Sequence, residues 1–369
     1  PYRNLGYDDF LSVLYYLSGR YVDLEDRKVY AKIWFEGESF GRRGKLTRVI
    51  YYLNLGTIPD EVKVDVYTRN RRWIGSIEED FLERLRKGDV FVLGGKRYRF
   101  LYARGMRAFV EPAERELPTI PAWFSEMLPL SFDLAEKIRE FREKAREVEN
   151  LEEWVFEELP VSRTVARAIA MYLEEQRRFL EIPKKDEILV EITRDLGGDK
   201  VAVFHALFGR RVNDVLSRAF AMIAGKLLKE DVLTVISDNG FSIRYCGDVD
   251  WERVIEEFLE ADLEELMRKN LRRTELLRRR FRHVAARSFM VLRNYKGHKI
   301  SVRKQQLNAQ TLLRVCERLE NFPVVKETYR EILYDVFDLR NAKFVQKMAR
   351  EGKFKFKIVE TPVPSPFAH

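Results

Sequence analysis

Lysine and arginine crowd into one stretch of the sequence, from Arg268 to Lys304. This basic stretch holds fourteen of them against a single acidic residue, Glu275, although the formal net charge of the whole chain is only +8. Positive charge concentrated in this way is typical of proteins that bind a polyanion, because guanidinium groups fork onto pairs of phosphate oxygens. The basic stretch therefore indicates contact with nucleic acid.

The apolar residues of the basic stretch recur at steps of three and four, which predicts a helix that packs one face on a core. They are Phe281, Val284, Ala285, Ser288, Phe289 and Leu292. The remaining positions supply the candidate phosphate contacts, which are Arg279, Arg280, Arg282, Arg287, Lys296, Lys299, Arg303 and Lys304. Two alternatives stay open: a charged helix face is often only solvated, and the acidic block at 252–265 is able to pair with part of the stretch.

Three further cations, Arg42, Arg43 and Lys45, lie in the tip GESFGRRGK at 37–45. The flanking runs 29–35 and 46–53 are rich in β-branched and aromatic residues, which predicts the two strands of a wing after a helix at 7–18. A wing of this kind lies along a nucleic-acid backbone, although a plain polar hairpin loop fits the same pattern. The tip is not a Walker phosphate loop, because that motif requires glycine at Ser39 and serine or threonine at Leu46.

Two rigid loops each hold one large apolar side chain that is suited to contact bases. Pro59 fixes the backbone of GTIPD at 56–60 and presents Ile58, which is able to wedge against a base step. Trp123 follows two prolines, and an indole held in this way stacks on an unpaired base of any kind. Packing into a core is the alternative for either side chain.

A predicted strand-to-helix junction carries His205, Arg210 and Arg211. The helix N-terminus and the two guanidinium groups are able to hold a phosphate, and fixing the loop is the alternative. Asp248 and Asp250 raise another function, a metal-dependent nuclease. That interpretation is weak because GDVDWE at 247–252 resembles a helix start and no third ligand is apparent.

An α+β multidomain fold must position these residues. Strand patterns between 62 and 111 predict a small β-barrel, helical patterns fill 130–180, and an α/β module from about 187 contains a hairpin across Asn239 and Gly240. Amphipathic helices at 305–319 and 324–337 follow the basic stretch, and Phe alternates with Lys at 353–357 as in an edge strand. The expected domains are a partial winged helix (1–52), a β-barrel-like module (53–117), a helical connector (118–183), the α/β module (184–250), a basic helical region (251–345) and a tail (346–369).

Composition narrows the class of protein further. Hydrophobic residues make up 46% of the chain, as in a folded protein, and no apolar run approaches the length of a membrane span. Cys246 and Cys316 have no CxxC partners, and the four histidines share no ligand spacing. We therefore expect a cytoplasmic protein without a metal site or a disulfide framework.

Several strings of the sequence resemble the large helicase-related (Lhr) family of superfamily-2 ATP-dependent helicases, in its archaeal form. They are RRFRHVAARSFMVLRNYKG at 279–297, KQQLNAQTLL at 304–313, FPVVKETYREILYDVFDL at 322–339, HALFGRRVNDVLSRAFA at 205–221 and, most specifically, GTIPD at 56–60, WIGSIEEDF at 73–81, GDVFVLGG at 88–95 and PTIPAWF at 118–124. The resemblance covers most of the chain in the family's order. It implies an accessory half, with the later part of a winged helix and the DEAD/H-associated region.

The resemblance also implies a parent protein that hydrolyses ATP with Mg²⁺ on two RecA-like motor domains and moves 3′ to 5′ along one strand. The motor and its cofactors are expected outside this chain, which begins at Pro1 and is expected to be truncated at both ends. By the same resemblance Trp123 contacts the tracking strand, and the partners are single-stranded or forked DNA, or an RNA:DNA hybrid, and the motor domains. A stand-alone binding or annealing module, or a scaffold, is the alternative, and the choice between DNA and RNA stays open.

Overall fold

The fold was obtained as a computed structural model that describes residues 5–21, 24, 29, 31–56, 63–78, 81–82, 85, 87–104, 107–113, 128–195, 197–272, 274–295, 298–300 and 302–368. The α-helices are α1 (Tyr7–Leu17), α2 (Leu46–Asn54), α3 (Phe132–Ala145), α4 (Leu151–Glu158), α5 (Arg163–Phe179), α6 (Arg210–Leu228), α7 (Trp251–Glu260), α8 (Leu263–Leu271), α9 (Glu275–Arg287), α10 (Val302–Cys316), α11 (Pro323–Arg330) and α12 (Leu339–Arg350). A π-helix (Glu331–Val336) and a short 3₁₀-helix (Pro366–Ala368) complete the helical part.

The β-strands are interspersed among these helices along the chain. They are β1 (Ile33–Glu36), β2 (Ser39–Arg42), β3 (Lys63–Thr68), β4 (Trp73–Glu78), β5 (Val90–Leu93), β6 (Lys96–Ala103), β7 (Arg107–Pro112), β8 (Glu187–Arg194), β9 (Lys200–His205), β10 (Leu233–Ile236), β11 (Phe241–Tyr245), β12 (Asn294–Tyr295), β13 (His298–Lys299) and β14 (Lys355–Glu360). This mixture confirms the α+β prediction.

The chain forms two compact units that each combine distant segments of sequence. The first unit contains Pro1–Met127 and Arg273–Glu331, and the second contains Leu128–Arg272 and Ile332–His369. The units therefore cut across the six consecutive ranges that the sequence suggested. Among the residues that the structure describes, no helix is long and apolar enough to cross a membrane.

The first unit begins with a helix and a short hairpin, as predicted, but the expected second strand of the wing is wrong. Strands β1 and β2 pair antiparallel with Phe35 opposite Phe40, so the hairpin turns at 37–38. Residues 46–53, predicted as a strand from their β-branched and aromatic content, lie in helix α2 instead. Leu46, Val49, Ile50 and Leu53 recur at helical spacing, a periodicity that competes with their strand propensity.

A five-stranded sheet in the order β4-β3-β7-β6-β5 follows in the first unit. Its five strands match the runs predicted between 62 and 111, and Val64, Val66, Phe91 and Val110 fill its core. A Cβ placed on Gly75 of β4 would lie 3.3 Å from Leu93 Cδ2 of β5, so the two edge strands curl toward each other. In the described part of the chain, β4 and β5 are not paired, and the predicted barrel is a half-barrel.

Helix α9 lies at the centre of the remaining part of the first unit. Leu277, Phe281, Val284 and Ala285 are buried, which confirms the predicted apolar stripe over this helix. The helix ends at Arg287, earlier than the stripe suggested, because Phe289 takes a left-handed conformation with φ of 58°. The Tyr16 hydroxyl donates a 2.8 Å hydrogen bond to the Ser288 carbonyl and so ties α1 to this end.

The second unit is built on the sheet β10-β11-β9-β8-β14. Helix α6 packs on it through an apolar stripe, whose members Val212, Val215, Leu216, Ala219, Phe220 and Ile223 are all buried. The hairpin between β10 and β11 is confirmed, and a Cβ on Gly240 would lie 2.1 Å from the Phe204 carbonyl oxygen. Strand β14 is the predicted edge strand, paired in parallel with β8.

Candidate nucleic-acid interface

Four cations lie together in sequence where the hairpin leads into α2, and we call Arg42, Arg43, Lys45 and Arg48 the hairpin cluster. Arg42 ends β2, Arg43 and Lys45 follow it, and Arg48 lies in the first turn of α2. All four are exposed, and none forms an ion pair or a side-chain hydrogen bond with any residue that the structure describes. Arg48 alone has a partner of another kind, the Tyr52 ring, whose centroid is 5.6 Å from its guanidinium carbon.

This arrangement is electrostatically unfavourable for the protein alone. The amino end of a helix carries partial positive charge, and the first turn of α2 contains no acidic residue to offset it. A polyanion would supply the missing negative charge, so the cluster is suited to contact phosphates. The sequence placed these cations at the hairpin tip. The structure places Gly37 and Glu38 at the tip and the hairpin cluster at its base.

Unlike the hairpin cluster, the arginines of α9 contact other residues of the protein. Arg280 Nη1 lies 3.3 Å from a carboxylate oxygen of Glu331, and Arg287 contacts the other oxygen of the same carboxylate. Glu331 is only 4% exposed, so this ion pair is held inside the first unit. Arg280 and Arg287 therefore stabilise the packing of α9, and their contact with phosphate remains a prediction.

Arg282 is the most buried of the predicted contacts whose side chains the structure describes. It is 3% exposed, and its Nη2 donates to His283 Nε2 over 3.1 Å. Burial, followed by the charges of neighbouring arginines, lowers the pKa of His283 to about 3. The imidazole is thus neutral at pH 7 and accepts the Arg282 hydrogen bond. Arg282 belongs to the core, which corrects its assignment to the surface.

Arg293 has a structural role that the sequence did not reveal. Its Nη2 donates to the carbonyl oxygens of Asn54, Leu55 and Gly56, at 3.0 to 3.2 Å, and so caps the carboxyl end of α2. Asn54 Oδ1 accepts from the backbone N–H groups of Arg293 and Asn294. The basic stretch therefore anchors the chain that leads into residues 57–62, where Ile58 is found.

The other predicted contacts of the first unit remain predictions. Arg279 is half-buried and already has a contact within the protein, whereas Lys304 is exposed in the first turn of α10. Lys299 and Arg303 are described by their backbone, in β13 and α10. Ile58, Trp123 and Lys296 lie outside the described residues.

In the second unit, the helix N-terminus that was considered for a phosphate is already occupied. Asp238 Oδ1 accepts from the N–H groups of Arg210, at 2.9 Å, and Leu130, at 3.1 Å. Arg211 Nη2 donates to the carbonyl oxygens of Tyr334 and Phe337, at 2.9 and 3.0 Å. The protein's own carboxylate takes the place of a phosphate. The backbone N–H of Arg210 and the guanidinium of Arg211 fix the junction, in agreement with the alternative interpretation.

The acidic block near the basic stretch pairs with the first residues of that stretch. Arg268 and Lys269 form ion pairs with Glu264 and Glu265, at 3.0 and 2.7 Å along α8. The two aspartates considered for a nuclease have other partners. Asp248 pairs with Lys200, and Asp250 caps α7 by accepting from the Arg253 N–H at 3.0 Å, as a helix start requires. Within the described ranges, no group of His, Cys, Asp or Glu is arranged to hold a metal ion.

Two family models match this chain, and each compact unit contains matched residues. The model described as "DEAD/H associated" matches residues 182–368, and the model of the winged helix domain of large helicase-related protein matches residues 1–120. The chain belongs to the Lhr family. The resemblance carried by the sequence motifs is thus confirmed, and the hairpin cluster lies within the part that matches the Lhr winged helix domain.

Curated Lhr proteins are similar to this chain over its full length. An ATP-dependent helicase Lhr-Core protein 2 of Thermococcus barophilus is 48% identical, and an ATP-dependent helicase Lhr-Core of Methanothermobacter thermautotrophicus is 45% identical. Both alignments cover 100% of this chain and 44% of the relative. The chain therefore spans less than half the length of the Lhr proteins that it matches.

A solved structure shows the same fold. It is that of the Mycobacterium smegmatis helicase Lhr bound to ssDNA and AMP-PNP, which matches with a TM-score of 0.69 at 19% identity. The match covers 99% of this chain and 43% of the other. At this level of identity the likeness establishes the Lhr fold of the chain.

Proposed function

We propose that this chain is the nucleic-acid-binding accessory region of an Lhr-type ATP-dependent 3′-to-5′ helicase. It grips the tracking single strand and helps to separate DNA or RNA:DNA duplexes. The observation that carries the proposal is the hairpin cluster, four exposed cations whose charge no described residue of the protein neutralises. The helicase names of its Lhr relatives and the ssDNA in the M. smegmatis structure support it.

In this proposal the first unit holds the strand by its phosphates. The hairpin cluster contacts consecutive phosphates, with Lys304 and Arg279 as further candidates. Ile58 separates bases at the junction, and Trp123 stacks on the loaded strand, as the family resemblance implies. ATP and Mg²⁺ bind to the RecA-like motor domains of the parent protein, which are the intramolecular partners of this region.

Binding across a salt series tests the proposal. The wild-type chain is compared with a variant in which all four residues of the hairpin cluster are replaced by glutamine, on single strands, duplexes and forks. Each lost phosphate contact on a single strand reduces the slope of log K against log salt by about 0.7. We therefore expect the slope to become shallower by about 3 and the affinity at low salt to fall steeply.

A control variant carries the same change of charge at cations that already have partners. Lys137, Lys144, Arg163 and Arg167 are exposed and ion-paired on the helices of the second unit. Replacing these four by glutamine should leave the slope close to that of the wild type. Equal slopes in all three proteins would show that the hairpin cluster does not contact the strand.

A further inference from the structure

The hairpin carries an aromatic side chain in an unusual position. Trp34 of β1 lies directly opposite Gly41 of β2 in the antiparallel register. A Cβ placed on Gly41 would lie 2.8 Å from each of three indole atoms, Cε2, Cζ2 and Nε1. The indole ring therefore lies against the backbone of β2, and only the missing side chain of Gly41 permits it to do so.

The rest of the indole is open to solvent. Trp34 is 44% exposed, although tryptophan is usually well buried in a folded protein. On the opposite face, Phe40 packs edge-on against Phe10 of α1 with ring centroids 6.2 Å apart, and it is itself 52% exposed. No aromatic ring or cation among the described residues covers Trp34. The hairpin thus holds an indole ring that lies against the backbone of β2 and is 44% exposed.

Positive charge lies beside this ring. The ladder continues beyond β2, because the Arg43 N–H donates a 3.0 Å hydrogen bond to the Lys32 carbonyl. Alternation along the strand places Arg43 on the same face as Gly41, two residues away. Arg43 belongs to the hairpin cluster. By the same alternation Glu36 lies on this face two residues from Trp34, on the turn side, whereas Arg43 lies on the side that leads into α2. The face therefore offers an aromatic platform followed by unpaired cations.

We propose that Trp34 is a base-stacking platform, on which one unpaired nucleobase of the bound strand stacks while the adjoining phosphate contacts Arg43. This inference rests on the proposed function and names a contact within it. The ligand is a single strand, because the bases of a duplex already stack on one another and do not expose a free face. Stacking of this kind tolerates any base, so the platform accepts either DNA or RNA.

The test distinguishes contacts to bases from contacts to phosphates. Binding is measured for an oligothymidylate and for an abasic strand of the same length, which keeps the phosphates and lacks the bases. We expect Trp34→Ala to weaken binding of oligothymidylate by about 5- to 100-fold and binding of the abasic strand by less than about 2-fold. Trp34→Phe should retain most of the affinity, since a phenyl ring also stacks.

Two further variants complete the test. Trp73→Ala serves as the matched control, because Trp73 is 57% exposed in the same unit but lies on the half-barrel sheet. It should bind both strands like the wild type. Gly41→Val keeps the indole but lifts it from β2, so it should reproduce the base-dependent loss of Trp34→Ala.

The outcomes distinguish failure of the Trp34 platform from failure of the proposed function. If Trp34→Ala binds oligothymidylate as the wild type does, or loses equal affinity for both strands, the platform is overturned while the proposed function stands. If the wild-type chain binds neither strand, the proposed function itself fails. Circular dichroism of each variant establishes that its fold is intact.

Discussion

The hairpin cluster and the arginines of α9 are both dense groups of cations in the first unit, and by sequence they look alike. In the structure, Arg280 and Arg287 share the buried carboxylate of Glu331, and Arg282 is 3% exposed. The hairpin cluster is exposed and has no such partner within the described residues. The difference teaches that the number of cations in a segment does not show whether their charge is available to a ligand.

The carboxylate that neutralises Arg280 and Arg287 lies far from both of them in the sequence. Glu331 is 51 positions from Arg280 and 44 from Arg287, in a separate predicted helix. A buried carboxylate of this kind is costly to bury alone and is retained only with its cations. The larger group of positive charge is therefore part of the architecture, and the smaller one is the better candidate for a strand-binding surface.

The largest effect is expected from breaking the buried ion pair. Glu331→Gln leaves Arg280 and Arg287 without a counter-charge, so we expect the free energy of unfolding to fall by about 3 kcal/mol in urea denaturation. Glu327→Gln is the control, because its ion pair with Arg330 is half-exposed and should be worth less than about 1 kcal/mol. Equal small losses in both variants would show that Glu331 does not hold Arg280 and Arg287, so that both cations are available to bind phosphate.

A smaller loss is expected at the junction of the second unit. Asp238→Ala removes the acceptor of the Leu130 and Arg210 N–H groups and should lower the free energy of unfolding by about 1 to 2 kcal/mol. Single-strand affinity should not change, because this helix N-terminus is closed by the protein's own carboxylate. A variant that instead binds oligonucleotides more tightly, with a steeper salt slope, would reveal a phosphate site there.

The next prediction concerns stacking on a base at Trp123 and does not involve a phosphate contact. Trp123→Ala should weaken single-strand binding, or unwinding by the parent helicase, by about 5- to 10-fold without unfolding the chain. Fluorescence anisotropy with labelled oligonucleotides measures the binding, and thermal melting checks the fold. Unchanged binding and unwinding would remove Trp123 from the interface and leave the hairpin as its centre.

The smallest effect concerns pH and the neutral His283 beside Arg282. The pKa of His283 is about 3 in the folded chain and about 6.5 when unfolded, so the unfolded chain binds the additional proton between these values. Its contribution to stability is complete above about pH 6.5 and is lost as the pH falls toward 3. Between pH 7 and 5.5 the wild type should lose about 1 kcal/mol more than His283→Gln, and equal pH profiles of unfolding would contradict a neutral buried imidazole.

Local patterns in the sequence determined most of the secondary structure and the family. The strands of the half-barrel, the Asn-Gly hairpin and the apolar stripe of α9 all follow from periodicity or turn chemistry within a few residues. The motif strings were sufficient to identify Lhr. Residues 46–53 are the exception, since β-branched and aromatic side chains occur there at helical spacing.

Only the tertiary structure decided which cations are available. Glu331 neutralises Arg280 and Arg287, Asp238 closes the α6 N-terminus, and Arg293 caps α2, and each contact joins elements that are far apart in the chain. The platform of Trp34 likewise depends on the register that sets it opposite Gly41. Periodicity reports only a residue's nearest neighbours along one element, whereas charge neutralisation and ring support depend on packing between elements, which no local pattern encodes.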